Sequence, residues 1–136
     1  MGYTHSITVP LDWEEAVART KEALGRQGLG VLTEIDVRAV LTAEISRESA
    51  DRIGDYLILG TWNPHLANRG LLTERELGAL LPCNVVVRRA VGATETTIEA
   101  VDALVLTRIS GNPAIREVAD DLDTRLKAAM ERLRVG

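Results

Sequence analysis

The chain contains no phenylalanine, two tyrosines and two tryptophans, so aromatic residues make up only 3% of its 136 positions. Leu, Val, Ile and Ala must therefore fill whatever core it builds. Cysteine is scarcer still. Cys83 stands alone, which excludes an internal disulfide and fits a reducing cytoplasm. Positive charge is not in excess: 16 basic against 20 acidic residues leave a net charge of −4, whereas a broad nucleic-acid footprint needs a basic face. No strand combines aromatic and basic residues in the manner of a single-strand reader. No apolar run approaches the ~20 residues that span a bilayer. The opening "MGYTHSITVP" lacks the basic head and apolar stretch of a secretion signal. Gly2 and Ser6 match the loose myristoylation pattern, but Tyr3 to Val9 alternates like a strand, and chance accounts for the match. Nucleophile elbow, Walker loop, dinucleotide fingerprint and zinc-helix motif are all missing. So are internal repeats and linkers. The expectation is one cytoplasmic domain over residues 1–136, with no nucleic-acid or membrane partner.

What is present is ordinary globular material, 46% hydrophobic and 26% charged. Tyr3 to Val9 reads as a first strand ending at Pro10. In "LDWEEAVARTKEALGRQG", Asp12 and Glu15 form a capping box. Trp13, Ala16, Val17, Thr20 and Leu24 make one buried helical face, and Gly28 offers the exit. "GVLTEIDV" is a second strand, whose alternation sends Val31, Thr33 and Ile35 to one face and Leu32, Glu34 and Asp36 to the other. Asp36 then caps a short helix. "DYLILGTW" is a third strand, followed by a helix with Asn63 as cap and Pro64 at its first position. "TERELGALLP" gives a short turn or helix before the strand "CNVVVRR". Gly92 permits a tight turn into a hairpin partner, "TETTIEAVDAL". Asn112 and Pro113 repeat the cap-then-proline start. Ile115, Ala119, Leu122, Leu126, Ala129 and Leu133 then form a stripe suited to covering a sheet.

Three stretches in order, "GLGVLTEIDV", "YLILGTWNPHLANRGL" and "LLPCNVVV", resemble the family known as Domain of Unknown Function 302, found mainly in bacteria and archaea. The resemblance covers nearly the whole chain. It implies an α+β domain of β-α-β-β-β-β-α order, with short helices inserted between strands, a long C-terminal helix packed on the sheet and a tendency to form homodimers. It supplies no activity. Two positions depart from the family pattern. Trp62 stands where the pattern has a cysteine before Asn-Pro, which leaves Cys83 without an intrachain thiol partner. Ala103, in "VDAL", stands where a proline follows the aspartate.

The residues able to carry chemistry each have two readings. Cys83 is a small buried hydrophobe, or a nucleophile if a nearby cation or helix start lowers its thiol pKa. Glu34 and Asp36 are an exposed carboxylate and a cap, or a general acid and base assisting Cys83, with His65 as a further helper. Trp62 is packing, or the rim of a ligand site. Asn63, Pro64 and His65 are a helix start, or a set of amides for an anion. Asn84 ties down a loop, or binds a ligand at a strand end. Cys83, His65 and Asp36 are suitable metal-ligand types without ligand spacing, so neither metal nor cofactor is expected. Trp62, Asn63, Glu34, Asp36 and Cys83 are expected to line one pocket. The functional expectation is a small-ligand-binding or interaction domain acting as a homodimer, the alternative being a thiol-dependent enzyme or redox protein.

Overall fold

A computed structural model describes residues 2–136. Strand β1 (Thr4–Val9) leads into helix α1 (Trp13–Arg26), then β2 (Gly30–Asp36), α2 (Val37–Glu44), α3 (Arg47–Ile53) and β3 (Asp55–Trp62). Helix α4 (Pro64–Thr73) and a 3₁₀ turn (Arg75–Leu80) precede the hairpin β4 (Cys83–Arg89) and β5 (Thr96–Val101). The chain closes with α5 (Val105–Ser110) and α6 (Pro113–Val135). The strands form one antiparallel sheet in the order β1-β5-β4-β3-β2. The expected α+β order is present.

Local chemistry explains most boundaries. Asp12 accepts from Glu15 N–H at 2.8 Å, Asp36 from Ala39 N–H at 3.0 Å, Asn63 from His65 and Leu66 N–H, and Asn112 from Ala114 N–H. Each satisfies an amide that the first helical turn leaves without a partner. Two helices lie outside the sequence expectations. Helix α3 starts on the Ser46 hydroxyl, and α5 follows β5 after a short link. Both are too short for a periodic stripe to announce them.

All of the strict alternation in β3, β4 and β5 resolves into an inner and an outer face. Leu57, Leu59, Val85, Val87, Ile98 and Ala100 point inward and are buried under α1 and α6. The α6 stripe behaves as expected: Ile115, Ala119, Leu122, Leu126, Ala129 and Leu133 are all buried. Helix α4 packs on α6, and α2 with α3 fills the end of the sheet beside β3. The outer face, which includes Ile35, Ile58, Val86 and Val101, is covered by none of the described elements.

One expectation needs correction. Val31 pairs with Thr61 and Thr33 with the adjacent Gly60, so a β-bulge lies between them. Successive β3 residues face opposite ways. Val31 therefore turns toward the core while Thr33 joins Ile35 on the outer face. Glu34 and Asp36 still share a side. Beside the bulge stands Gly60, where a Cβ would collide with the Thr33 hydroxyl and the ring of Pro82. Among the described residues, no helix is long and apolar enough to cross a membrane.

Candidate functional site

The expected site residues are distributed over the fold rather than gathered into one cavity. Glu34 lies on the exposed edge strand, 2.7 Å from Lys21 Nζ. Asp36 is the α2 cap and borders a depression with Trp13, Arg38 and Asp51. Trp62 ends β3 opposite Gly30 and is half-buried. Asn63 is buried. Its carboxamide oxygen caps α4 while its Nδ2 donates to Gly28 O at 3.0 Å, tying the α1 exit to the α4 start. Gly28 sits at φ +72° in the left-handed region, and a Cβ there would press on Asn63 and Arg125. Pro64 and His65 are exposed on the first turn of α4. Cys83, His65 and Asp36 lie on separate elements.

Cys83 and Asn84 do meet at a concavity, where β4 begins and β5 ends. It encloses about 160 Å³, with apolar walls from Pro82, Val101, Val105 and Leu106 and an edge contributed by Asp102. Cys83 points inward with Val85 and Val87 and is 3% exposed. Burial first, and then the negative charge of Asp123, push its thiol up to about 11. At neutral pH it is a protonated, weakly polar wall. Asn84 is exposed on the other side of the strand, and no side-chain hydrogen bond holds its carboxamide among the described residues.

Behind the concavity is a cluster that joins β1, the β5–α5 link and α6. His5 Nε2 lies 2.9 Å from Asp123 Oδ1 and 3.9 Å from Asp102 Oδ1. Asp123 also takes Lys127 Nζ at 3.1 Å and the Ala103 N–H at 3.2 Å. Burial works to raise the Asp123 pKa, but the hydrogen bonds from His5 and Lys127 outweigh it and hold the carboxyl below its ordinary range. Ala103 gives its departure from the family pattern a physical meaning. Proline has no N–H, so only a residue such as alanine can donate to Asp123 from this position.

The ligand atoms of His5, Asp102 and Asp123 lie within 4.8 Å of one another, which is close enough to hold a cation. Asp123 is closed by His5, Lys127 and the Ala103 amide, whereas Asp102 has only a loose 3.6 Å ion pair with the exposed Arg108. An ion-pair lock is thus centred on Asp123. It brings together residues up to 118 positions apart. The one sequence signal for it is Asp123, which falls four residues after Ala119 on the buried face of α6.

No curated protein matches this chain. A crystal structure from Bacillus stearothermophilus, titled as an uncharacterized conserved protein DUF302, superimposes with a TM-score of 0.85 at 28% identity. The match covers 98% of this chain and 100% of that one. The family described as Domain of unknown function DUF302 matches residues 5–133, and the chain belongs to that family.

Proposed function

We propose that this domain is a cytoplasmic binding module that works as a homodimer, with the outer face of its sheet as the self-association surface. The observation that carries the reading is the chemistry of that face. Ile35, 47% exposed, stands beside Ile58, Val86 and Val101 on one continuous surface of the sheet. Its only charged strand residues, Arg88 and Glu99, pair with each other at 2.6 Å, and the Arg88 hydrogen bond holds the Glu99 carboxyl below its ordinary pKa. A face that neutralises its own charge presents no repulsion to a copy of itself, as an isologous contact requires. Both tyrosines of the chain, Tyr3 and Tyr56, border a groove on this face beside Asn84. Tyrosine is the residue type enriched at interface cores.

Size supports the same occupant. Five strands about 4.8 Å apart and six residues at about 3.3 Å each give roughly 24 by 20 Å in plan. Side-chain relief and the flanking Tyr3 bring that toward the ~800 Å² per partner of a stable interface. Binding is favoured over thiol chemistry because Cys83 is buried and held protonated at neutral pH. Light scattering after gel filtration at micromolar protein tests the reading. The expected mass is twice 14.8 kDa, falling to the single-chain value in Val86→Arg. A single-chain mass for the unmodified protein up to 100 micromolar overturns it.

A further inference from the structure

We propose that the concavity at the start of β4 and the end of β5 is a binding site for a small primary amine with a compact apolar body, the ammonium group resting on Asp102. The inference deepens the binding-module reading but does not depend on dimer formation. Size comes first. A cavity near 150 Å³ takes a molecule the size of benzene, and this one measures about 160 Å³. Its walls are mostly side chains with no polar atom, which suits a ring or a branched chain rather than a sugar or a phosphate.

Charge comes second. Asp102 is the only formally charged residue on the wall, and its side chain is 16% exposed. Its Oδ1 accepts the Leu104 N–H at 2.9 Å. Its Oδ2 lies 3.6 Å from Arg108 Nη2, beyond hydrogen-bond reach, and the Arg108 side chain is 59% exposed, with Nη1 donating to Gly2 O. His5 Nε2, at 3.9 Å from Oδ1, is engaged by Asp123. Asp102, which lines the concavity, thus has an oxygen, Oδ2, with no hydrogen-bond donor on it among the described residues, and only the loose ion pair with the exposed Arg108 balances its charge. An ammonium group supplies the missing donors with the charge that a carboxylate prefers. A ligand carboxylate would meet like charge there. Asn84, a lining residue whose carboxamide has no side-chain hydrogen bond among the described residues, supplies a second polar contact for the same head group.

Proton–nitrogen correlation spectra of the full chain at pH 7, titrated with cyclohexylamine, test the proposal. Cyclohexanol and cyclohexanecarboxylate serve as size-matched controls. The amine is expected to shift the Asn84, Ala103 and Leu106 amides saturably. The alcohol should bind at least tenfold more weakly, and the carboxylate not at all. Asp102→Asn should reduce the amine to the alcohol's affinity. Val105→Trp, which fills the space, should abolish both. Ile109→Trp does the same from an exposed rim position if the first filling variant does not fold. The same titration on Val86→Arg separates this site from the sheet-face dimer: amine binding persists there whatever the oligomeric state. Absence of saturable shifts, shifts confined to other residues, or an undiminished response in Asp102→Asn overturns the proposal.

Discussion

The inner and outer faces of this sheet are built from alternate residues of the same strands, yet they follow different rules. On the inner face Val85 and Val87 are fully buried beneath α1 and α6. On the outer face Val86 is half-buried only by its strand neighbours, and Asn84 and Ser6 are exposed. The inner face repeats aliphatic side chains because close packing tolerates neither voids nor stray polar atoms. The outer face mixes isoleucine, valine, threonine, tyrosine and one closed ion pair. Such a mixture is too apolar to be merely solvated and too polar to be core. That intermediate character is what a surface needs if it is to exist both alone and covered.

Two neighbours of identical type offer the sharpest way to break this comparison. Val85→Ala removes buried methyl groups from a site with no route to solvent, and should cost about 2–3 kcal/mol. Val86→Ala on the outer face should cost under ~1 kcal/mol in the single chain, since much of that side chain is already wet. Urea unfolding of both variants, at several protein concentrations, measures the difference. A dimer formed through the outer face makes the apparent stability depend on concentration, and Val86→Ala should weaken that dependence while Val85→Ala leaves it in place. Equal losses from the two substitutions would mean that the outer face is as tightly packed as the inner one.

The next effect in size concerns the buried charge on the inner side. Asp123 is 3% exposed, yet it carries a charge held by His5, Lys127 and the Ala103 amide. Asp123→Asn keeps an oxygen for Ala103 but loses the charge-assisted bonds, for an expected cost of about 1–2 kcal/mol at pH 7. The pH dependence has a definite sign. The folded Asp123 pKa lies below its ordinary value, so its contribution is fully present above the unfolded pKa of about 3.9 and is lost as pH falls through the folded pKa. The stability gap between the two proteins should therefore narrow between pH 5 and pH 2. A gap that stays constant across that range would show that shape, not charge, is what Asp123 provides.

These two cases also show what the amino-acid order can and cannot disclose. The alternation of Val85, Val86 and Val87 is local, as are the caps at Asp12, Asp36, Asn63 and Asn112, and each is readable from a few neighbouring residues. The bulge at Val31 and Thr33 is not local, because it exists only against β3, where Gly60 lies under the Thr33 hydroxyl and beside Pro82 just ahead of β4. The cluster of His5, Asp102 and Asp123 is less accessible still, since it joins residues up to 118 positions apart. For the candidate site, Cys83 and Asn84 were legible as a strand entrance. Their partner Asp102 was not, because nothing near it in sequence marks its place beside them. The conspicuous Trp62-Asn63-Pro64-His65 run, in turn, is occupied with starting α4 and fastening it to Gly28.

The smallest expected effect tests the boundary between the two faces. Glu34 lies on β2, across from the inward-pointing Leu59, and its carboxylate pairs with Lys21 of α1. Both partners are substantially exposed, at 47% and 38% of their side chains, so water and salt screen the 2.7 Å pair. Glu34→Gln should change stability by less than ~0.5 kcal/mol in low salt, and by less again at 1 M salt. Parallel thermal melts at both ionic strengths measure it. A loss above ~1 kcal/mol, or one that persists in high salt, would mean that Glu34 is covered by something other than Lys21. Because β2 is an edge strand, the most direct candidate would then be a second chain reaching round from the outer face, and the self-association surface would have to be extended over that edge.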